Sequence, residues 1–372
     1  MKNRLSVCLI SNDFYPNIIG GVGIYTEKLA SGLARKGHKV YVIASANQFP
    51  NNFHRNINFY ITKERNLFKF WRFCRKIFNS QNFNDLDIIH GSDIFHLPVC
   101  FKKTSAKIIT TTHNSYLQRF SNYKASRKIY YPLLIFFEQL VLSKSDGIIT
   151  VSDFSKSYLE KYFIDKQKIQ LIPNGVDINN YKPSIKGNYV KKLLLLKNDD
   201  KIILFVGRLV ENKRPLFLVN LAKKFFPKNW HLLIIGEGPL EEKIRLEINS
   251  AKNIHLIGKV DNRQMPDIYN SCNVFALPSK SEGLSLTLLE ALSSGLPIVI
   301  TPQTQFKNIV ENNLNGFCIE TDNEENWFRA INNCLNNEKN FSIRSREKIL
   351  EYQLTEENFI DKHERFYYEI IR

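Results

Sequence analysis

The sequence predicts an α/β protein made of two doubly wound parallel-sheet domains. Three observations predict it. The chain has 372 residues, more than one ordinary core organises. Short apolar runs recur through both halves with amphipathic stretches between them, the grammar of parallel sheets covered by helices. A polar stretch at 179–201, carrying Pro183 and Gly187, separates the two series and reads as a linker.

In the first half, residues 5–10, 40–44, 87–90, 107–112, 147–151 and 169–172 read as strands, with helices at 23–36 and 131–144. In the second half the strands are 202–206, 231–235, 254–257, 274–277, 298–301 and 316–319. A last helix near 356–372 carries Phe359, Phe366 and Tyr367. The expected division is therefore 1–180 and 181–355, with ligands at the carboxyl ends of the strands.

Apolar residues make up 43% of the chain, enough for two packed cores, and no run approaches the roughly 20 apolar residues of a membrane span. The N-terminal residues run directly into a strand and lack the features of a signal peptide. Cys8, Cys74, Cys100, Cys272, Cys318 and Cys334 form no C-x-x-C pair, and several sit in apolar runs. A reduced, cytoplasmic chain without structural zinc is expected. The net charge of +16 is uneven: residues 1–180 hold 25 Lys/Arg against 12 Asp/Glu, and residues 181–372 hold 27 against 24. The basic first half points to an anionic partner, nucleic acid or a lipid leaflet.

The densest chemistry lies at 279–300. Glu282 and Glu290 are separated by seven residues, after an apolar run and before a Ser-Gly-Leu-Pro helix stop. The pattern places a helix start near Gly283 or Leu284, with Glu282 at its mouth and Glu290 about two turns on. Eight residues of helical rise span roughly 12 Å. The N–H groups of Leu284 and Ser285 would then suit a diphosphate between two hydroxyl-binding carboxylates. Gly207-Arg208 ends another strand, and Lys213 follows five residues later. Arginine offers a fork to phosphate oxygens and lysine a point charge.

Weaker signals accompany these. Gly20, Gly21 and Gly23 precede a helix and could bring backbone N–H groups to phosphate, although nine residues separate them from the first strand. His113 ends a strand, where α/β sites lie, with Asn114 and Ser115 beside it. His90 also ends a strand and reads as a core residue. Asp85-Leu86-Asp87 opens a strand, which argues against a metal-binding D-x-D, and no His/Asp/Glu cluster has metal-ligand spacing. At 63–78, Leu67, Phe70, Trp71, Cys74, Ile77 and Phe78 share one helical face opposite Arg65, Lys69, Arg72 and Lys76. That composition fits both an interfacial membrane helix and an ordinary helix packed on the sheet with a solvated basic face. The run 119–128 adds a second basic aromatic stretch.

Taken in order, these motifs resemble those of the retaining glycosyltransferases of family 4. The pair Glu282 and Glu290 matches the family's E-x7-E signature, and Gly207 to Lys213 its G-R-L-x-x-x-K element. Pro173 to Asp177 is similar to its P-N-G-V-D hinge, Gly236 to Pro239 to its G-x-G-P turn, and Gly20 to Gly23 to its glycine loop. The resemblance implies the GT-B architecture: two facing Rossmann-like domains with a cleft between them and a terminal helix crossing back to the first. It implies a metal-independent transferase, without cofactor, that moves a sugar from a UDP- or GDP-sugar to an acceptor hydroxyl with retention. Arg208 and Lys213 would hold the diphosphate, Glu282 with Gly283, Leu284 and Ser285 the sugar and phosphate, and Glu290 the ribose. His113 would line the sugar, the Gly20, Gly21 and Gly23 loop would face the donor phosphate, and Gly236 and Gly258 would lie by the nucleoside.

Two departures stand out. Arg214 occupies a position where the family usually has glycine, which would add positive charge near the site. After residues 298–301 the chain reads Pro-Gln-Thr-Gln-Phe-Lys-Asn where a glycine pair and a carboxylate are common. The expected acceptor is a lipid-linked glycan, glycolipid or surface polysaccharide precursor, met at the cytoplasmic membrane face through Arg65, Lys69, Arg72 and Lys76. A nucleotide-sugar epimerase of the same fold is the nearest rival. A nucleic-acid-binding protein explains the charge but leaves Arg208, Lys213, Glu282 and Glu290 without a reason, and no nucleic-acid motif is present.

Overall fold

The computed structural model describes residues 4–14, 21–49, 54–81, 83–113, 115–122, 130–184, 187–249, 251–280, 282–302, 308–320 and 322–372. It forms two compact units, Met1–Asn174 with Glu357–Arg372, and Gly175–Glu356.

Unit 1 is built on seven parallel strands: β1 (Ser6–Ser11), β2 (Lys39–Ser45), β3 (Ile57–Thr62), β4 (Ile88–Ser92), β5 (Lys107–Thr112), β6 (Gly147–Thr150) and β7 (Ile169–Leu171). Their order in the sheet is β3-β2-β1-β4-β5-β6-β7. Helices α1 (Gly21–Arg35), α2 (Leu67–Ser80), α3 (Tyr116–Asn122), α4 (Tyr131–Lys144) and α5 (Asp153–Leu159) connect them. The central strands read as continuous Val/Ile/Leu runs because both faces are covered; β1 is buried along its whole length. The edge strand β3 is absent from the sequence-based expectation. Its segment, INFYIT, is only half-buried and preceded by polar residues, so no apolar run announces it.

Unit 2 repeats the plan with six parallel strands: β8 (Lys201–Val206), β9 (Trp230–Ile235), β10 (Ile254–Gly258), β11 (Val274–Leu277), β12 (Ile298–Ile300) and β13 (Gly316–Cys318). The order is β10-β9-β8-β11-β12-β13. Its helices are α6 (Tyr189–Leu193), α7 (Pro215–Phe225), α8 (Glu241–Ile248), α9 (Met265–Ser271), α10 (Leu286–Ser293), α11 (Glu324–Asn336) and α12 (Glu338–Glu351). The polar stretch expected to be a linker is instead anchored. Just ahead of it Val176 bridges Thr355, and the Arg346 guanidinium donates to the carbonyl of Ile178 before the stretch and of Tyr181 within it, at 2.8 and 2.7 Å. Helix α6 lies inside the same stretch. The units therefore divide at Asn174/Gly175 and Glu356/Glu357, where the sequence pattern set 180/181 and 355/356.

The final helix, α13 (Glu356–Ile371), packs in unit 1. Phe359, Ile360, Phe366 and Tyr367 join one core cluster with residues of β1, β2 and α1. At its edge, Lys36 pairs with Asp361 at 2.7 Å, and His38 Nε2 lies 2.8 Å from Glu364. Among the described residues no helix is long and apolar enough to cross a membrane.

Candidate active site

In unit 2 the strand order reverses between β8 and β11, and the loops leaving those two carboxyl ends form a topological switch point. Beyond β8 come Gly207, Arg208 and a turn closed by Lys213 N–H on the Val210 carbonyl at 3.0 Å. Beyond β11 come Lys280, Glu282 and α10. The two loops are joined twice. Lys280 N–H donates to the Asn212 carbonyl at 2.8 Å, and the Lys213 ammonium donates to Glu282 Oε1. Arg208 is exposed, whereas Glu282 is buried. Among the described residues the site thus presents two exposed cations, Arg208 and Lys280, and a third, Lys213, that is already held by a carboxylate.

Helix α10 starts at Leu286, later than the sequence suggested. Ser285 is the reason: its hydroxyl accepts from Leu288 N–H at 3.4 Å and caps the helix. Gly283, Leu284 and Ser285 therefore form the lead-in, and Leu286 and Thr287 are the first helical residues. The Thr287 hydroxyl also donates to the Val206 carbonyl at 3.3 Å, fixing the helix start to the end of β8. Glu290 consequently lies just over one turn into the helix. Its carboxylate is buried and accepts from the Tyr269 hydroxyl at 2.9 Å. Tyr181, whose ring packs 5.8 Å from that of Tyr269, also hydrogen-bonds Glu290. Burial, then the charge of Glu290, pushes both phenols above their ordinary range. Neither tyrosine carries any sequence signal of its own; only the fold brings them to Glu290.

The turn 236–239 closes on the β8 loop. Leu209 N–H donates to the Glu237 carbonyl at 2.9 Å, and Leu240 N–H to the Leu209 carbonyl at 3.0 Å. Gly236 sits at φ 139° and a Cβ there would lie 1.9 Å from the Gly207 carbonyl oxygen, so no side chain fits. Gly236 N–H in turn donates to the Gly258 carbonyl at 2.9 Å, lining up the ends of β8, β9 and β10. Beside them a cavity of about 250 Å³ is lined by Ile235, Ile257, Lys259, Val260, Gln264 and Ile268, among others.

Arg214 does not enlarge the positive field as expected. Its guanidinium pairs with Asp322 at 2.5 Å and lies 4.6 Å from the centre of the Phe217 ring. Its backbone is left-handed, φ 54° and ψ 44°, a conformation that glycine adopts most readily.

Apart from the 303–307 stretch, the remaining predicted residues belong to unit 1. Gly21 and Gly23 fall within the first turn of α1 instead of preceding it. Gly20, Asn114, most of the 119–128 run and residues 303–307 lie outside the described residues. His113, buried at the end of β5, donates its backbone N–H to Asp93 Oδ1 at 3.2 Å, and its ring meets Tyr25 edge-to-face at 4.7 Å. Arg65 precedes Asn66, the cap of α2, so it does not share the helical face of Lys69, Arg72 and Lys76. The apolar side of α2 packs on the sheet through Phe70 and Cys74.

Two Rossmann-like parallel-sheet units define the GT-B class of transferase. Residues 19–180 match Glycosyltransferase Family 4 and residues 190–353 match Glycosyl transferases group 1. The two matches cover most of the sequence, and the chain belongs to the family 4 glycosyltransferases. It is 32% identical over 182 residues to UDP-Gal:alpha-D-GlcNAc-diphosphoundecaprenol alpha-1,3-galactosyltransferase of Escherichia coli, a match spanning 46% of each chain. It is 26% identical over 348 residues to alpha-monoglucosyldiacylglycerol synthase of Acholeplasma laidlawii, 85% of each. In fold it is similar to sucrose-phosphate synthase from Thermosynechococcus elongatus, with a TM-score of 0.84 and 19% identity over 99% of both chains.

Proposed function

We propose that this glycosyltransferase moves a hexose from a UDP- or GDP-sugar to a hydroxyl of a lipid-linked glycan, glycolipid or surface polysaccharide precursor, with retention and without a metal. The observation that carries the reading is the contact of Lys213 with Glu282 at the unit 2 switch point, with Arg208 exposed beside it. In this reading the bond from the anomeric carbon to the leaving phosphate breaks while the acceptor oxygen bonds on the same face. The acceptor proton passes to the departing phosphate. Arg208 and Lys213 offset the charge growing on the diphosphate, and Glu282 orients Lys213 and binds a sugar hydroxyl. The nucleoside lies towards Gly236 and Gly258, with Glu290 on the ribose side. The two relatives named above, one for a UDP-Gal donor and a diphosphoundecaprenol-linked acceptor and the other for a diacylglycerol lipid, support a lipid-borne acceptor.

The enzyme would then work as a peripheral protein at the cytoplasmic membrane face, with Lys69, Arg72 and Lys76 towards anionic lipid. Incubation with UDP-, GDP- and ADP-sugars tests the donor: slow release of free sugar from one of them, unchanged by a chelator and giving the retained anomer by NMR, is expected. Folded protein that neither binds nor hydrolyses any donor overturns the assignment.

A further inference from the structure

The basic face of α2 is one half of a larger surface, and the other half is apolar. Helix α4 is apolar nearly all round, which is unusual for a helix with a solvent face. Its inner side packs through Val141, Leu134 and Phe137. Its outer side leaves Leu133 48% and Phe136 55% exposed, with Tyr130 74% exposed just ahead of it. Phe68 on α2 is 60% exposed. The two helices are in contact: the Trp71 ring stands 5.4 Å from Phe68 and 5.1 Å from Phe137, and Phe137 lies 6.0 Å from Phe136. The exposed apolar side chains therefore belong to one surface, not to scattered positions.

Cations flank that surface. Lys69, Arg72, Arg75 and Lys76 are exposed on α2, and Lys144 is exposed at the end of α4, above Phe101 at 6.0 Å. The one carboxylate of the two helices, Glu138, is buried and accepts from Tyr116 N–H at 2.8 Å and from the Tyr162 hydroxyl. Lysine is depleted at protein–protein interfaces. Protruding apolar groups between long, flexible cations suit an anionic bilayer, where the rings enter the acyl boundary and the cations reach the headgroups.

We propose that α2 and α4 together form an anionic-lipid docking surface in which Phe136, Leu133 and Phe68 enter the bilayer and the α2 cations hold the headgroups. This rests on the membrane reading above but assigns the attachment to apolar insertion through α4, beyond the charge of α2 alone. It predicts binding that a charge-only patch would not give, namely binding that persists in part when salt screens the cations.

The full chain should sediment with phosphatidylcholine/phosphatidylglycerol vesicles and much less with pure phosphatidylcholine. Leu133→Ser/Phe136→Ser should lower the partition coefficient about tenfold or more, with most of the loss remaining at high salt. Phe136→Trp should show a blue-shifted emission and quenching by brominated acyl chains only with the anionic vesicles. It is a second probe should the double variant melt early. Wild-type partitioning by the Leu133→Ser/Phe136→Ser variant, or an unquenched Phe136→Trp, overturns insertion while leaving the basic face of α2 as the contact. Failure of the wild type to bind any vesicle overturns the membrane reading as a whole, as does binding to nucleic acid in place of lipid. Donor hydrolysis in solution is independent of all of these outcomes.

Discussion

The Tyr25 hydroxyl lies 2.6 Å from His363 Nε2, joining α1 to the last helix of the chain. His363 Nδ1 faces the Phe359 carbonyl at 2.7 Å and must donate to it, so the neutral ring accepts at Nε2 and Tyr25 donates. Thr111, 2.8 Å from the Tyr25 oxygen, then donates to Tyr25 and accepts from His90 Nε2 at 2.6 Å. His90 Nδ1 accordingly accepts from the Tyr367 hydroxyl at 2.5 Å. One backbone carbonyl thus sets the direction of a buried relay from Tyr367 to His363, with both ends on α13. Its members are fully or almost fully buried, so each donor or acceptor lost leaves a partner unsatisfied.

Tyr25→Phe keeps the ring against His113 but removes the hydroxyl that serves two partners. The expected cost is about 1–3 kcal/mol, read by urea denaturation with an unchanged slope. Combined with His363→Gln, the loss should be less than the sum of the two single losses, because both act on one contact. Strict additivity would show that α13 is seated by its apolar face alone.

The histidines of this relay, together with buried His96, make unit 1 sensitive to acid. Burial lowers His363 from its ordinary 6.5 to about 4, lowers His96 to about 3, and holds His90 well below its usual range. These rings stay neutral in the folded chain below pH 6.5, while the unfolded chain takes up protons there. The unfolded state therefore binds more protons between about pH 6.5 and 4, and stability falls as pH drops through that window. Melting temperatures measured from pH 7.5 to 5 should fall. The fall should be shallower in His363→Gln than in the wild type; an equal slope would assign the acid sensitivity elsewhere.

Most strands of both sheets are legible in the sequence because parallel strands covered on both faces must be apolar throughout. The strand β3 escapes because an edge needs less burial. The helix boundaries shift for local reasons that composition hides: Asn66 caps α2 and moves Arg65 off its face, and Ser285 caps α10 and shortens the way to Glu290. Long-range pairing is the part that no spacing shows. Tyr181 and Tyr269 against Glu290, Asp322 against Arg214 and Arg346 across the expected linker each depend on segments brought together only by the complete unit.

Gly236→Ala should be among the more damaging single-methyl substitutions in unit 2. The residue stands in a conformation that L side chains rarely adopt, and the new methyl would meet the Gly207 carbonyl oxygen. The loop carrying Arg208 must move or the turn must open. A loss of roughly 2–4 kcal/mol is expected, with donor binding weakened even where the variant remains folded. Thermal unfolding near the wild-type temperature would mean that the two loops are not rigidly joined.

The cations allow the sharpest division of roles. Lys213 is held by Glu282, whereas Arg208 stands exposed, so their losses should differ. On the proposed reaction, Lys213→Ala removes a preoriented charge where the diphosphate leaves and should lower kcat for donor hydrolysis by about 10²–10³. It also strips a partner from the buried Glu282, so a modest loss of stability should accompany it. Arg208→Ala should leave stability unchanged and weaken donor affinity as well as turnover. Glu282→Gln keeps an acceptor for Lys213 but loses the charge that orients it, and should fall between wild type and Lys213→Ala. In a double-mutant cycle, Lys213→Ala/Glu282→Gln should be little worse than Lys213→Ala alone. Independent, additive losses in kcat would show that Glu282 does not orient Lys213 and that their contact is incidental to turnover.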